Sequence, residues 1–460
     1  MRPARHFAFA ALLLAALALV APRAAVAQPA VGEHRTPAGI AFRHLAVADT
    51  HHALAFAWSD GYALTQPGKA GLAMLGPRLL LEGSRGVGES DRIEQLKDLQ
   101  ASLGLSGSAH FTRGVLAAPR PKFAEAAGLL ADLLADPALP ADRLAHAKKS
   151  FAISSRQSQE NAETLASRLF SRLLLGRDGP EGNLQRLVVG DPAAHEAVEV
   201  ADVEAWRRAV LGRERLTIVS AGPMSADEVA GEIDRIFAKL PGVGHDIGPA
   251  PKLRASGKLI VLERAVVQTA IVAGGPMASA RERDVLPGSL AVRVLGGGFE
   301  SRLTKAVREG LGATYGIRAG LQQLHPEASA LVISTAVDNA KAAAALAAIR
   351  KEYARWREEG VTAAEIEPLK TRFTTEMRES LRRAPGAAQR VRDFVLVGLP
   401  VDYLAGYETR LRALTDGAVS DWLRAHFPKE PLTIVVVAPS AEGLGADCVI
   451  KSADEIARCE

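Results

Sequence analysis

LGGGFESRLTKAVREGLGATYG, residues 295–316, is the most distinctive stretch of this 460-residue sequence. Three consecutive glycines precede Ser301, and serine commonly caps helices, so we predict that a helix begins there. Leu303 and Val307 recur at helical spacing and define its apolar face. Gly310 or Gly312 is predicted to end the helix. The stretch therefore predicts a glycine-rich loop, a short helix and the start of an extended segment.

Arg308 and Tyr315 lie seven residues apart across the predicted end of this helix. From there the two side chains could direct hydrogen-bond donors at one point, although a surface arginine and a half-buried tyrosine would give the same spacing. A glycine-rich loop before a helix can also bind phosphate. The stretch lacks the Gly-Lys-Ser/Thr of a P-loop and the GxGxxG of a dinucleotide site, which disfavours that function.

An internal repeat divides the rest of the chain. Trp206 precedes the sequence LTIV at residues 216–219, and Trp422 precedes LTIV at residues 432–435, so both features recur after 216 residues. Between the copies, residues 241–256 carry three prolines and three glycines without an apolar period, a composition typical of linkers. We therefore predict two similar domains and a C-terminal tail, at residues 28–240, 257–440 and 441–460.

Each half mixes strand-like runs with amphipathic helical patterns. The apolar runs predict strands at residues 54–58, 259–262 and 330–335. One helix is predicted from Ser90, with an apolar face of Ile93, Leu96, Leu99 and Leu103. Another is predicted over residues 339–359, with Leu346, Ile349, Tyr353 and Trp356 in its stripe. The predicted fold class is α+β, with two similar domains that each pack helices on an antiparallel sheet, joined by the Gly/Pro linker.

The first 27 residues have the features of a signal peptide for export. Arg2 and Arg5 precede an uninterrupted apolar run of 14 residues, 7–20, which is too short to span a membrane. The small-x-small sequence at residues 25–27 predicts cleavage just before Gln28. No second apolar stretch is long enough to cross a bilayer. We therefore predict a periplasmic or secreted protein without a membrane span once the signal is removed.

Charge and cysteine content narrow the function classes further. Lys plus Arg number 56 and Asp plus Glu 52, a net charge of +4, and three of the positive charges lie in the first 27 residues. A nearly neutral mature chain gives no sign of a nucleic-acid partner, which would require basic residues gathered into a patch. The two cysteines, Cys448 and Cys459, could form a disulfide in an oxidising compartment.

The stretch at residues 295–316 resembles the second-domain motif of the pitrilysin/insulinase family of zinc metallopeptidases, in its processing-peptidase-like branch. The family pattern reads roughly LGGxxxSRLxxxxRExxGxxY, and this sequence matches it at Leu295, Gly296, Gly297, Ser301, Arg302, Leu303, Arg308, Glu309, Gly312 and Tyr315. The resemblance spans nearly the whole mature chain. It implies that two units of two α+β domains each face each other around a chamber that holds an unfolded peptide. It also implies that Arg308 and Tyr315 hydrogen-bond the substrate carbonyl and the developing oxyanion.

The zinc motif of that family is missing from this sequence. The resemblance places the inverted His-x-x-Glu-His motif at residues 74–78, which are here Met74, Leu75, Gly76, Pro77 and Arg78. None is a zinc ligand, and Gly76-Pro77 is expected to weaken or kink the helix. The more distant glutamate ligand would fall near Ser154 or Ser155. Elsewhere no histidine pair has metal-ligand spacing beside a carboxylate, and no GxSxG motif indicates a serine hydrolase.

These features predict the non-zinc subunit of a heterodimeric exported metalloendopeptidase. The chain itself is expected to bind no cofactor and to be inactive alone, since zinc is expected on a homologous partner chain that carries the zinc motif. Its expected contribution is substrate binding and oxyanion stabilisation through Arg308 and Tyr315, for short or unfolded peptides. The alternative is a proteolytically inactive peptide-binding or scaffold protein of the same fold, as in the core subunits of the mitochondrial cytochrome bc complex.

Overall fold

The computed structural model describes residues 30–460 with the exception of residues 178, 189, 278–284 and 430. The predicted signal peptide and its cleavage site lie outside the described residues. No helix in the described part of the chain is long and apolar enough to cross a membrane. Every described strand belongs to one of two six-stranded sheets.

The N-terminal half forms the first sheet and most of the helices around it. Its strands are β1 (Val31–Arg35), β2 (Ala41–Ala46), β3 (His51–Ser59), β4 (Ser102–Gly107), β5 (Phe111–Pro119) and β6 (Leu216–Gly222). Its helices are α1 (Tyr62–Thr65), α2 (Leu72–Leu80), α3 (Glu89–Asp98), α4 (Phe123–Ala135), α5 (Ala141–Glu160), α6 (Ala162–Leu174), α7 (Gly179–Val188), α8 (Ala193–Glu196), α9 (Val200–Val210) and α10 (Ala226–Phe237).

The C-terminal half forms the second sheet. Its strands are β7 (Leu259–Glu263), β8 (Gln268–Met277), β9 (Ile317–His325), β10 (Ala328–Asp338), β11 (Thr433–Ala438) and β12 (Cys448–Ile450). Its α-helices are α11 (Val285–Gly296), α12 (Ala342–Glu359), α13 (Ala363–Leu381), α14 (Ala384–Leu396), α15 (Tyr407–Ala413) and α16 (Asp416–His426). A π-helical segment, Thr304–Gly310, lies between α11 and β9.

The two sheets share one strand order over five of their six positions. The first runs β1-β2-β6-β3-β5-β4 and the second β12-β7-β11-β8-β10-β9. In the first sheet Ala55 lies between Val115 and Val219, and at the corresponding position of the second sheet Val272 lies between Ser334 and Val435. The first LTIV copy begins β6, and the second begins one residue before β11. Both strands occupy the third position of their sheets. The repeat predicted from the sequence is therefore confirmed.

Both sheets are mixed, which corrects the prediction of antiparallel sheets. β2–β6, β7–β11 and β7–β12 pair in parallel, whereas the other neighbours pair antiparallel. Strands β6 and β11 each return to their sheet after a long helical segment, and a crossover of that length lets a strand enter parallel to its neighbour. The α+β class with two similar, helix-packed domains is confirmed.

Local sequence signals explain several element boundaries. Helix α13 begins with a capping box, in which Thr362 and Glu365 each bond the other's backbone N–H. The stripe predicted for α12 is confirmed, because Leu346, Ile349, Tyr353 and Trp356 are all buried. The helix predicted from Ser90 is wrong in its apolar face. Helix α3 ends at Asp98, Ile93 is exposed, and Leu103 belongs to β4, so the apparent stripe mixes a helix with a strand.

Each half covers the sheet of the other half with one helix. Helix α6 packs on β8 and β11 of the second sheet, and α14 packs on β3 and β6 of the first. On α6, Leu169 and Phe170 share a buried cluster with Val272 and Val435. On α14, Ala387 and Val391 share another with Ala55 and Val219. The halves therefore share hydrophobic cores as well as a linker.

The linker and the predicted tail are both held against the domains. Residues 241–256 contain no helix or strand, and the carbonyl oxygens of Pro241 and Gly242 accept from the backbone N–H of Arg213 and Glu214 at 2.8 and 3.1 Å. Strand β12, within the predicted tail, extends the second sheet beside β7. Cys448 and Cys459 are joined by a disulfide.

Candidate functional site

The segment that aligns with the zinc motif is an unbroken helix of non-ligand residues. Met74 is half-buried, Pro77 is buried and Arg78 is exposed on α2. Gly76-Pro77 does not break the helix, since α2 continues from Leu72 to Leu80. Its leucines pack into the core, and a Cβ on Gly76 would lie 2.6 Å from the Trp206 ring. Close packing therefore holds the helix in spite of the proline.

The position expected for the more distant zinc ligand is occupied by a serine that is engaged in other hydrogen bonds. Ser155 donates its hydroxyl to the Gly190 carbonyl at 2.7 Å, and the Arg168 guanidinium donates to Ser155 Oγ at 3.0 Å. No group of three His, Cys, Asp or Glu side chains within the described ranges could hold a metal ion. The residues at the zinc-motif positions therefore do not fit a zinc ion.

The glycine-rich loop allows α11 to pack tightly on the edge of the second sheet. A Cβ on Gly296 would lie 2.5 Å from Ala319 N in β9, so only glycine fits without a shift of the strand. The carbonyl of Gly298 accepts hydrogen bonds from the hydroxyls of Ser301 and Thr304 at 2.7 and 3.0 Å. Ser301 thus closes the loop instead of capping the helix that follows. This corrects its predicted role as an N-cap.

The predicted helix after this loop is π-helical over Thr304–Gly310, a rare geometry that is frequent at functional sites. Leu303 and Val307 are buried as predicted. Arg302 points the other way and forms a bidentate ion pair with Glu365, with atoms 2.6 and 2.8 Å apart. This pair ties the segment to the start of α13. Arg308 lies in the last turn of this segment and is half-buried.

Arg308 and Tyr315 line one cavity of about 750 Å³, here called the Arg308 cavity. It lies between the first residues of β9 and helices α11, α13 and α14. The Arg308 guanidinium lies 4.9 Å from the centre of the Phe299 ring, a cation–π contact. Tyr315 is 93% exposed. Within the described ranges neither side chain has a hydrogen bond or an ion pair, so both sets of donors are available to a ligand.

The other end of β9 borders a different cavity. Met74 of α2 and residues 322–326 line this cavity of about 280 Å³, which shares no lining residue with the Arg308 cavity. Because a strand rises about 3.3 Å per residue, the ends of the nine-residue β9 lie about 26 Å apart. The Arg308 cavity and the degenerate motif of one chain are therefore not parts of one reaction centre.

Several buried ionisable groups belong to the N-terminal core. Asp60 accepts from Trp206 Nε1 at 2.9 Å, and burial raises the pKa of its carboxyl. His52 Nε2 lies 2.8 Å from Ser220 Oγ, and burial lowers the pKa of this histidine to about 3. None of these groups lines the Arg308 cavity. We interpret them as structural.

The sequence pattern does not indicate three other residues of the Arg308 cavity, Phe299, Arg318 and Arg390. Phe299 stands within the quoted stretch, but its contact with Arg308 depends on how the loop folds. Arg390 belongs to α14, which crosses to the first sheet, so no local spacing relates it to the motif.

Residues 197–373 match the family model described as the Peptidase M16 inactive domain. Over this segment the chain is similar to M16 peptidases. The resemblance to pitrilysin/insulinase peptidases, drawn from the motif around Arg308 and Tyr315, is thereby confirmed.

Two of the proteins that this chain resembles are described as inactive or as a non-peptidase. Non-peptidase homolog YmxG from Helicobacter pylori is 22% identical over 390 residues, which cover 83% of this chain and 88% of the relative. The solved peptidase M16 inactive domain from Pseudomonas fluorescens is 21% identical, with a TM-score of 0.81 over 89% of this chain and 98% of that one. The first half of the periplasmic protease PqqL from Escherichia coli is 13% identical, with a TM-score of 0.65 over 94% and 96%. The chain thus has the M16 fold without a zinc motif.

Proposed function

We propose that this chain is the metal-free subunit of a heterodimeric M16 peptidase. In this proposal Arg308 and Tyr315 bind the substrate carbonyl and stabilise the oxyanion, while a homologous partner chain supplies the zinc motif. The observation that carries the proposal is that Arg308 and Tyr315 line one cavity without a hydrogen-bond or ion-pair partner among the described residues. The helix at the degenerate motif borders a different cavity. Fixed donors aimed at a developing charge are each worth about 10²–10³ in rate.

The position of strand β9 at the edge of the sheet favours a peptide as the substrate. It is the edge strand of the second sheet, so its outer backbone groups are available to an added strand. The Arg308 cavity lies on the α11 face of β9. A second cavity of about 630 Å³, here called the α6 cavity, lies on the face that α6 covers. An edge strand with a cavity on each face suits an extended peptide, because successive side chains of a strand point to opposite faces.

The proposed location is the periplasm or the exterior of the cell. This location is proposed because the sequence predicts a signal peptide for export. The similarity in fold to one half of PqqL, which is described as periplasmic, is consistent with it.

A second candidate is a peptide-binding protein without any part in proteolysis. The relative described as a non-peptidase homolog favours it. The same β9 edge and cavities would then hold a peptide that is not cleaved. The two candidates differ in whether this chain increases the turnover of a partner.

The deciding experiment measures cleavage of a quenched fluorescent peptide library by the mature chain, by a zinc-motif homologue from the same organism, and by their mixture. We expect neither chain to cleave alone, the mixture to cleave, and a chelator to abolish that cleavage. A mixture no faster than the homologue alone would contradict the heterodimer proposal and favour the second candidate.

A further inference from the structure

The two cavities beside β9 contain an excess of positive charge. The chain as a whole is nearly balanced, with 56 basic and 52 acidic residues. Among the described residues, the Arg308 cavity is lined by one carboxylate, Glu376, and four arginines, Arg293, Arg308, Arg318 and Arg390. The α6 cavity is lined by Arg168 and Arg318 and by no described carboxylate. The excess is therefore local to the β9 edge.

Three of these guanidinium groups, on Arg308, Arg318 and Arg390, have no carboxylate partner within the part of the chain that the structure describes. Glu376 does not compensate them, because it accepts from Arg372 Nε at 2.7 Å. Other exposed arginines nearby are paired, as Arg382 is with Glu379 at 3.1 Å. Three guanidinium groups without a carboxylate partner therefore line the cavities beside β9.

The wall of the Arg308 cavity is largely aromatic and apolar. Besides Phe299 and Tyr315, it includes Phe373, Met377, Phe394 and Tyr403. A carboxylate that pairs with arginine beside such a wall is partly shielded from water, which strengthens the attraction. The wall also provides area for an apolar side chain. The cavity thus offers two kinds of contact to one ligand.

We propose that the β9 edge selects extended peptides in which a carboxylate lies beside an apolar or aromatic side chain. The carboxylate pairs with Arg318 and Arg390, and the apolar side chain packs on the aromatic wall. Side chains two positions apart on a strand point to the same face, so an acidic and an aromatic residue at that spacing reach the Arg308 cavity together. This inference rests on the proposed peptide-binding function and names its substrate class.

The test is direct binding to the mature chain alone, measured by fluorescence anisotropy. The probes are labelled short peptides of one apolar sequence with a phenylalanine. Two positions from it they carry Glu, Gln or Lys, and each is made with a free or an amidated C-terminus. A hydrogen bond to a charged group is worth enough to change affinity by about tenfold. We therefore expect the Glu peptide to bind about tenfold more tightly than the Gln peptide, with Lys weakest.

The free and amidated forms show whether a C-terminal carboxylate can replace the glutamate side chain. The double variant Arg318→Gln/Arg390→Gln should lose the preference for Glu, and added salt should weaken it in the wild type. Arg382→Gln, which removes an exposed arginine outside both cavities, should keep the preference. Equal binding of all the acidic and neutral peptides would overturn the proposal, as would an unchanged preference in the double variant.

This experiment separates the inference from the proposed function. If the charge preference is absent but a mixture with the zinc-motif homologue still cleaves peptides, only the substrate class is wrong. If the preference is present but the mixture gains no activity, the site is selective and the heterodimer proposal is wrong.

Discussion

Gly296 and Gly298 look alike in the sequence but should respond very differently to alanine. A Cβ on Gly296 would lie 2.5 Å from Ala319 N and 2.7 Å from Ala319 Cβ, both in strand β9. Carbon contacts are optimal at about 3.5–4.0 Å, so β9 would have to move by about 1 Å. A Cβ on Gly298 would meet only the end of the Arg372 side chain, at 3.9 Å.

Overpacking of this kind costs about 1–3 kcal/mol, and alanine regains up to about 1 kcal/mol of helix propensity at the last residue of α11. We therefore expect Gly296→Ala to lower the free energy of unfolding by about 1–2 kcal/mol. Gly298→Ala should be neutral or raise it by about 0.5 kcal/mol, through a less flexible unfolded chain.

The assay is urea unfolding followed by circular dichroism. With a urea dependence of about 3 kcal/mol per molar, Gly296→Ala should lower the midpoint by about 0.5 M. It should also weaken peptide binding at β9, because the displaced strand carries the walls of both cavities. Equal midpoints for the two variants would refute the argument that tight packing of α11 on β9 requires Gly296.

Three further predictions concern charge and metal. Burial holds the pKa of His52 at about 3, below its ordinary 6.5, so on acidification the unfolded chain takes up a proton before the folded chain does. Through this group the free energy of unfolding should therefore fall by about 2.5 kcal/mol between pH 7 and pH 4.5. In His52→Gln this part of the fall should be absent, measured from urea midpoints at the two pH values. Arg302→Met removes the cation beside Glu365, whose partly exposed carboxylate keeps its hydrogen bond from the Thr362 N–H. The variant should cost about 2 kcal/mol in the same unfolding curves, and a loss below 0.5 kcal/mol would contradict a structural role. The variant Met74→His/Pro77→Glu/Arg78→His restores the zinc motif. It should retain no zinc after dialysis, measured by elemental analysis, because Ser155 cannot serve as the third protein ligand.

The internal repeat was sufficient to predict two similar domains. A tryptophan and an LTIV run recur at one offset, and a shared pattern over that length reflects a shared order of strands. The stripe of α12 was equally readable, since its four apolar residues lie within one helix. Where elements were short, the pattern failed. Ile93 and Leu103 have helical spacing and predict one helix, but they lie on α3 and β4. Periodicity alone does not locate the turn between these two elements.

The exchange of α6 and α14 between the halves was not predictable from local pattern. Both are ordinary amphipathic helices, and only tertiary packing decides which sheet each one covers. The same limit applies to the site. Arg308 and Tyr315 were identified by their motif, whereas Arg390 reaches the cavity only because α14 crosses over. The N-cap prediction for Ser301 is wrong because its hydroxyl donates to the Gly298 carbonyl in the preceding loop and does not accept from any helix N–H that the structure describes.

The most direct test of the central claim is the turnover of the mixed complex with Arg308→Ala or Tyr315→Phe in this chain. Arg382→Ala serves as the matched control, since it removes an exposed arginine outside the cavity. The heterodimer proposal predicts that each site variant assembles normally by gel filtration but lowers kcat by about 10² or more, while the control keeps wild-type turnover. If the complexes with Arg308→Ala and Tyr315→Phe both turn over substrate as fast as the wild type, this chain does not stabilise the transition state.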